Sequence, residues 1–293
     1  MNLLGLMLVR NSDWVIGLTL RAALLWCDSV VVLMHNCTDR TADIVAEVSR
    51  ETGGRVAALV DDSAEWEEMR LRQTMLEVGR ELLGGTHFAL IDDDELLTGN
   101  LLSRIRGYIE ASAGCGEVLY LPWLQLSATG VMSSGMWGEQ RVSLAFKDHP
   151  ALHWAARAGY DFHHRNPMGL PFIPVSPISD RSAGVLHLQF LNRRRLLAKQ
   201  FLYQLVEMKR WPGRKSAAEV AAYYSQTVTA ADCAEVLPSF GDLWAGYGGL
   251  WGCLSPHAEP WQEAECKRLL AENPNLSAGL NDFGLLAEWN SAK

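Results

Sequence analysis

The stretch "THFALIDDDELLTG", Thr86 to Gly99, is where the fold is decided. It opens with a continuous apolar run, His87 to Ile91, which fits a strand buried on both faces. It then sets Asp92, Asp93, Asp94 and Glu95 side by side. Two ionised carboxylates about 4 Å apart repel by roughly 1 kcal/mol in water and roughly 4 kcal/mol at a protein-surface dielectric. Four consecutive acids therefore need a cation, a helix N-terminus or solvent to offset them. Side chains alternate along an extended segment, so Asp92 and Asp94 are expected on one face and Asp93 on the other. A divalent cation such as Mn²⁺ or Mg²⁺ offsets such a pair, because it takes one or two carboxylates together with substrate phosphate oxygens. The competing reading is helix-start chemistry, with acids favouring the dipole of a helix that begins near Gly99.

Upstream of this stretch, strand and helix signals alternate. Leu3 to Val9 is an apolar strand, and Asn11, Ser12 and Asp13 offer an N-cap to a helix carrying Trp14, Leu18, Ala22 and Leu25. Ser29 to Met34 is a β-branched strand, and the loop "NCTDRT" leads to a helix with Ile44, Val45 and Val48 on one face. Arg55 to Val60 is a third strand. A long helix with Met69, Leu76 and Leu83 follows and ends at Gly84 and Gly85. Near-continuous apolar strands separated by helices predict an α/β fold with a mainly parallel sheet flanked by helices. Right-handed crossovers place the loops after the strands along one edge, where ligands bind in open sheets.

Composition sets the bounds. The chain has 293 residues, 48% of them hydrophobic, with net charge −8. That charge argues against a nucleic-acid partner. No apolar run is long enough to cross a bilayer, and the N-terminal apolar run lacks a basic flank and stops at Arg10. Six cysteines without a C-x-x-C pair fit free thiols and a cytoplasmic protein.

The segment "FALIDDDELL" resembles the D-x-D segment of GT-A glycosyltransferases, particularly the family 2 type. "LMLVRNSDWVIGLTLRAALLWCDSVVVL" is similar to the opening strand, turn, helix and second strand of that family, and "NCTDRTADIVAE" to its "GSTDGT" loop. The likeness covers about residues 3 to 125. It implies a Rossmann-like GT-A sheet with a C-terminal helical, loop-rich extension. The implied division is residues 1–125 as the nucleotide-sugar-binding half, 126–190 as the acceptor-side half and 191–293 as the extension. It implies a transferase of hexosyltransferase type that uses Mn²⁺ or Mg²⁺ and a nucleotide-sugar donor, a UDP-sugar. Asp92 and Asp94 match the D-x-D acids, with Asp93 between them on the donor side. Asn11 and Asp39 match the nucleotide-binding loops, and Arg72 matches a basic residue before D-x-D that faces the diphosphate. Two positions depart from the pattern: Ser12 replaces an acid, and Met34 stands where an acid commonly helps to read the base.

The second half matches less closely. "GVLHLQFLNRRRLLAKQ" resembles the end of the catalytic core, where a His serves as a further metal ligand; here that is His187. "GYDFHHRNP" gathers Asp161, His163, His164 and Arg165 where the family lines its acceptor side. A general base for the acceptor hydroxyl is sought among Asp161, His163, His164 and Glu139. Family 2 members are mostly inverting, and the acceptor is a glycan, a lipid-linked group or a protein. Residues 193–215 hold eight Lys or Arg against one acid, Glu207. They read as a phosphate-neutralising surface, as a peripheral contact with the inner membrane face, or as a solvated helix face. Two alternatives stay open. One is a non-catalytic carbohydrate- or nucleotide-binding protein on a GT-A scaffold. The other is a sugar-phosphate nucleotidyltransferase, although the first loop lacks that class's glycines.

Overall fold

The three inner strands are apolar at successive positions because both faces of the sheet are covered there, whereas the edge strand Val56–Asp61 leaves Val60 exposed. Along β1 (Leu3–Val9), Leu3, Met7 and Val9 enter one core layer, and Leu4, Leu6 and Leu8 enter the other. The first layer is closed by α1 (Ile16–Ala23), α2 (Thr41–Glu51) and α4 (Ile105–Ala111), through Ile16, Leu20, Val45, Val48, Ile105 and Ile109. The second is closed by α3 (Glu68–Glu81), through Met69, Leu71, Met75 and Leu76. The computed structural model describes residues 1–112, 114–133, 139–155, 165–234, 236–237 and 245–291.

The remaining strands of the parallel part are β2 (Ser29–His35), β3 (Val56–Asp61) and β4 (His87–Asp92). Their order is β3-β2-β1-β4, all parallel. Register places Val9 beside Met34, Met34 beside Val60, and Leu8 beside Asp92, so the four C-terminal ends lie on one edge. β5 (Glu95–Leu97) follows at once, and the chain continues to β6 (Glu117–Ser127), β7 (Gly130–Met132) and β8 (Arg141–Lys147). β8 pairs antiparallel with β4 and with β6. β9 (Ile173–Val175) runs parallel to β6, and β10 (Val185–Phe190) pairs antiparallel with β5, setting His187 opposite Glu95. The expected mainly parallel, helix-flanked α/β sheet is what forms. It holds because each crossover helix has an apolar stripe to lay on a sheet that is apolar on both sides.

The chain divides into two compact units. The first holds the described residues of Met1–Leu124, Glu139–His187 and Phe240–Pro256; the second holds those of Gln125–Gly138, Leu188–Ser239 and His257–Lys293. The second unit contains α5 (Arg193–Arg210), α6 (Ala217–Cys233), the short β11 (Val236–Leu237) paired with β7, α7 (Trp261–Glu272) and α8 (Leu285–Ser291). Asn192 caps α5 by accepting from the Arg195 N–H, and Ser216 with Glu219 forms a capping box on α6. Phe201 and Leu205 of α5 are buried against Cys266, Leu269 and Leu285. No described helix is long and apolar enough to cross a membrane, and all six cysteines are free.

Candidate functional site

The acid run turns. Asp92 ends β4, Asp93 and Asp94 form a turn, and Glu95 opens β5. This corrects the extended-strand alternation expected above. The turn at Asp93 and Asp94 interrupts the extended stretch that the alternation needs, although Asp94 stays near enough to act on the Asp92 charge. Asp92 and Glu95 share Arg165, Asp93 is bound to the first loop, and Asp94 lies beside His187.

Asp92 lies between two guanidinium groups. Its Oδ1 accepts from Arg72 Nη2 at 3.3 Å and its Oδ2 from Arg165 Nη1 at 2.9 Å. Burial works against its charge, but Arg165 and then Arg72 outweigh that and hold the carboxyl below its ordinary range. Glu95, 1% exposed, takes Arg165 in a two-point grip, with Nη1 at 3.0 Å and Nη2 at 2.6 Å. Burial pushes the Glu95 carboxyl up, against the pull of Arg165. Asp93 accepts from the Ser12 hydroxyl, and its carbonyl accepts from Thr19 Oγ1 at 2.7 Å, which ties the turn to the first loop and α1. Asp94 lies beside His187, with Oδ1 3.4 Å from Nε2.

His187 is held from its other side. Its ring stacks on Trp123 with centroids 4.5 Å apart and planes 14° from parallel. The stack needs β6 and β10 to approach closely, and Gly184 permits it. A Cβ there would lie 2.2 Å from the Pro122 carbonyl oxygen. The Trp123 indole N–H is buried without a hydrogen-bond partner.

Arg72 is buried in α3. Nε donates to Glu68 at 2.7 Å and Nη2 to Asp92, while Nη1 is buried without a hydrogen-bond partner. Burial opposes the charge on Arg72, but Glu68 and Asp92 hold its pKa above the ordinary value.

Asn11 and Asp39 stand where the nucleotide loops were expected, and both side chains sew those loops together. Asn11 has a left-handed φ of 50°, and its Oδ1 accepts from the Thr38 N–H at 2.7 Å. Asp39 accepts from the Thr41 N–H at 2.9 Å and from the Asp13 N–H at 3.1 Å. Met34 is buried at the end of β2. Glu139 is exposed, and its charge acts on Arg181. Asp161, His163 and His164 lie outside the described residues.

Three residues acquire partners that the sequence did not reveal: Arg165, Trp123 and Glu95. A run of four acids signals that a cation, a helix N-terminus or solvent must offset it. It does not signal that a buried guanidinium seventy residues downstream does so. Among the described residues, no three or more His, Cys, Asp or Glu converge in a metal-holding group. Asp94 and His187 do offer a carboxylate oxygen and an imidazole nitrogen side by side, a donor pair suited to Mn²⁺ or Mg²⁺ completed by substrate oxygens.

In the second unit, much of the basic run is paired. Arg193 meets Asp232, Arg194 meets Glu263 and Glu288, Lys209 meets Glu272 at 3.0 Å, and Lys215 meets Glu207 at 2.8 Å. Arg210 and Arg214 each lie 5.3 Å from the Trp211 ring centroid.

The site thus lies on a β3-β2-β1-β4 sheet, with the acid turn after β4 and antiparallel strands beyond it. Several solved structures are similar to the chain at low identity. TarS 1–349 from S. aureus, in complex with UDP-GlcNAc, matches with 16% identity and a TM-score of 0.35 over 42% of this chain and 35% of that one. The mannosyltransferase PcManGT from Pyrobaculum calidifontis, in complex with GDP-Man and Mn²⁺, matches with 13% identity and a TM-score of 0.39 over 99% and 80%. GalNAc-T7 with UDP, GalNAc and Mn²⁺ matches with 10% identity and a TM-score of 0.41 over 95% and 57%. The chain thus spans about a third of the TarS chain and less than two thirds of GalNAc-T7. No family model and no curated protein sequence matches it.

Proposed function

We propose that the protein is a metal-dependent glycosyltransferase of the family 2 type. It moves a sugar from a nucleotide-sugar, a UDP-sugar, to an acceptor hydroxyl on a glycan, lipid or protein, with inversion at the anomeric carbon. The observation that carries this reading is the placement of Asp94 beside His187 at the C-terminal edge of the sheet. Asp94 and His187 would hold Mn²⁺ or Mg²⁺. When bound, the metal supplies positive charge against the negative charge that grows on the leaving diphosphate. Asp92 would join as a ligand only by releasing one of its two guanidinium partners. The unpartnered Nη1 of Arg72 is the donor available to a diphosphate oxygen beside Asp92. Asn11 and Asp39 shape the nucleotide side by fixing its two loops, and Asp93 anchors the acid turn to the first loop.

Proton removal from the acceptor falls to Asp161, His163, His164 or Glu139, the carboxylates and imidazoles of the acceptor side. Six free thiols suit a reducing compartment, and we place the protein in the cytoplasm. The ion pairs along residues 193–215 leave less basic charge for the inner membrane face than the sequence alone implies.

A second reading, a binding protein on the same scaffold, is favoured by the double guanidinium grip on Asp92 and by buried Met34. UDP release from a panel of UDP-sugars with Mn²⁺ separates the two. Turnover that disappears in Asp94→Ala supports the transferase. UDP binding without turnover, indifferent to chelator, supports the binding protein.

A further inference from the structure

Arg165 has no spare donor. A guanidinium carries five N–H groups in a rigid fork, and here all five are engaged. Nε donates to the Ser143 carbonyl at 2.8 Å. Nη1 donates to Asp92 and to Glu95 Oε1. Nη2 donates to Glu95 Oε2 and to the Leu90 carbonyl, both at 2.6 Å. A substrate phosphate could bind Arg165 only by displacing one of these bonds, so the residue is built to hold the protein and not the ligand.

The partners lie on separate pieces of the site. Ser143 is on β8, Leu90 and Asp92 are on β4, and Glu95 starts β5. Glu95 also accepts from the Asp92 N–H at 3.1 Å, which closes the turn on itself, and it is paired in register with His187. One side chain thereby sets the Asp92 carboxylate, the path of the turn and the strand that faces His187. An ammonium could supply the charge, but it has three donors and no planar fork.

We propose that Arg165 is a positioning residue that fixes the Asp92–Glu95 turn so that Asp94 and His187 converge on one divalent cation. The inference rests on the transferase reading. It concerns geometry, and it separates from a simple charge-balancing role because Arg165→Lys keeps the charge and loses the fork.

The test is Mn²⁺ binding to the full chain, read by electron paramagnetic resonance of the free ion, for wild type and Arg165→Lys. Thermal melting checks the fold, and UDP affinity is measured without metal. The expected result is a folded variant that binds Mn²⁺ at least tenfold more weakly while metal-free UDP affinity stays within twofold. General loosening of the site would weaken both and would overturn the proposal. So would unchanged Mn²⁺ affinity in the folded variant. Should Arg165→Lys not fold, the Glu95→Gln/Arg165→Met pair removes the buried acid with its partner, and it is held to the same outcomes. A wild-type chain that binds neither Mn²⁺ nor UDP sinks the transferase reading, and this inference with it.

Discussion

The acid turn after β4 and the basic helix α5 are both runs of like charge in the sequence, and they resolve in opposite ways. The turn is matched from inside. Arg165 is nearly buried, with 12% of its side chain exposed, and Glu95 is 1% exposed. The helix is matched from outside: Arg193, Arg194 and Lys209 are each more than half exposed and reach acids on other helices. Breaking a buried pair strands an uncompensated charge and costs roughly 3–5 kcal/mol, whereas an exposed pair is worth about 0–1 kcal/mol. The same residue types therefore fix geometry in one place and only decorate a surface in the other.

Arg165→Met is expected to break this contrast most severely. It should lower unfolding stability by roughly 3–5 kcal/mol in urea titration, because Glu95 would keep its charge only at the expense of burial. A loss below about 1 kcal/mol would put Arg165 in the same class as the surface cations. Trp123→Leu comes next. Removing the stack on His187 should cost about 0.5–1.5 kcal/mol of ring–ring interaction, seen as a two- to tenfold weaker Mn²⁺ affinity with the fold intact.

The pH response of the second unit is smaller. Burial resists the charge on Glu263, but Arg194 and the Trp289 N–H hold its carboxyl below the ordinary range. A depressed folded pKa means the stabilisation is complete above the unfolded glutamate value, about 4.3, and fades as pH falls through the folded one. Acid unfolding curves of Glu263→Gln should therefore lie under wild type at neutral pH and converge on it only once pH has fallen below the depressed folded pKa. Lys209→Ala is expected to do least: under about 1 kcal/mol, and nothing resolvable in 1 M salt.

How far the sequence could be read follows from where each partner lies. β1 to β4 and their helices were legible because apolar runs and turn residues are local signals. The Asp92–Glu95 turn was not, since strand periodicity says nothing about where a chain reverses. Asn11 and Asp39 were singled out by position, but the bonds of Asn11 to Thr38 and of Asp39 to Asp13 cross between loops and leave no local trace. Arg72 was singled out by resemblance, but its burial was not legible, because α3 shows its apolar face through Met69 and Leu76 and hides the Glu68–Arg72 pair. The basic run of α5 was legible, but its partners Asp232, Glu263 and Glu272 sit on other helices and could not be assigned to it.

The most direct measurement is calorimetric titration of UDP into wild type and Asp94→Asn, each with and without Mn²⁺. The result expected is at least tenfold tighter UDP binding with Mn²⁺ in wild type and no Mn²⁺ effect in the variant. UDP affinity in wild type that ignores Mn²⁺ would contradict the claim that Asp94 and His187 grip a donor diphosphate through a divalent ion.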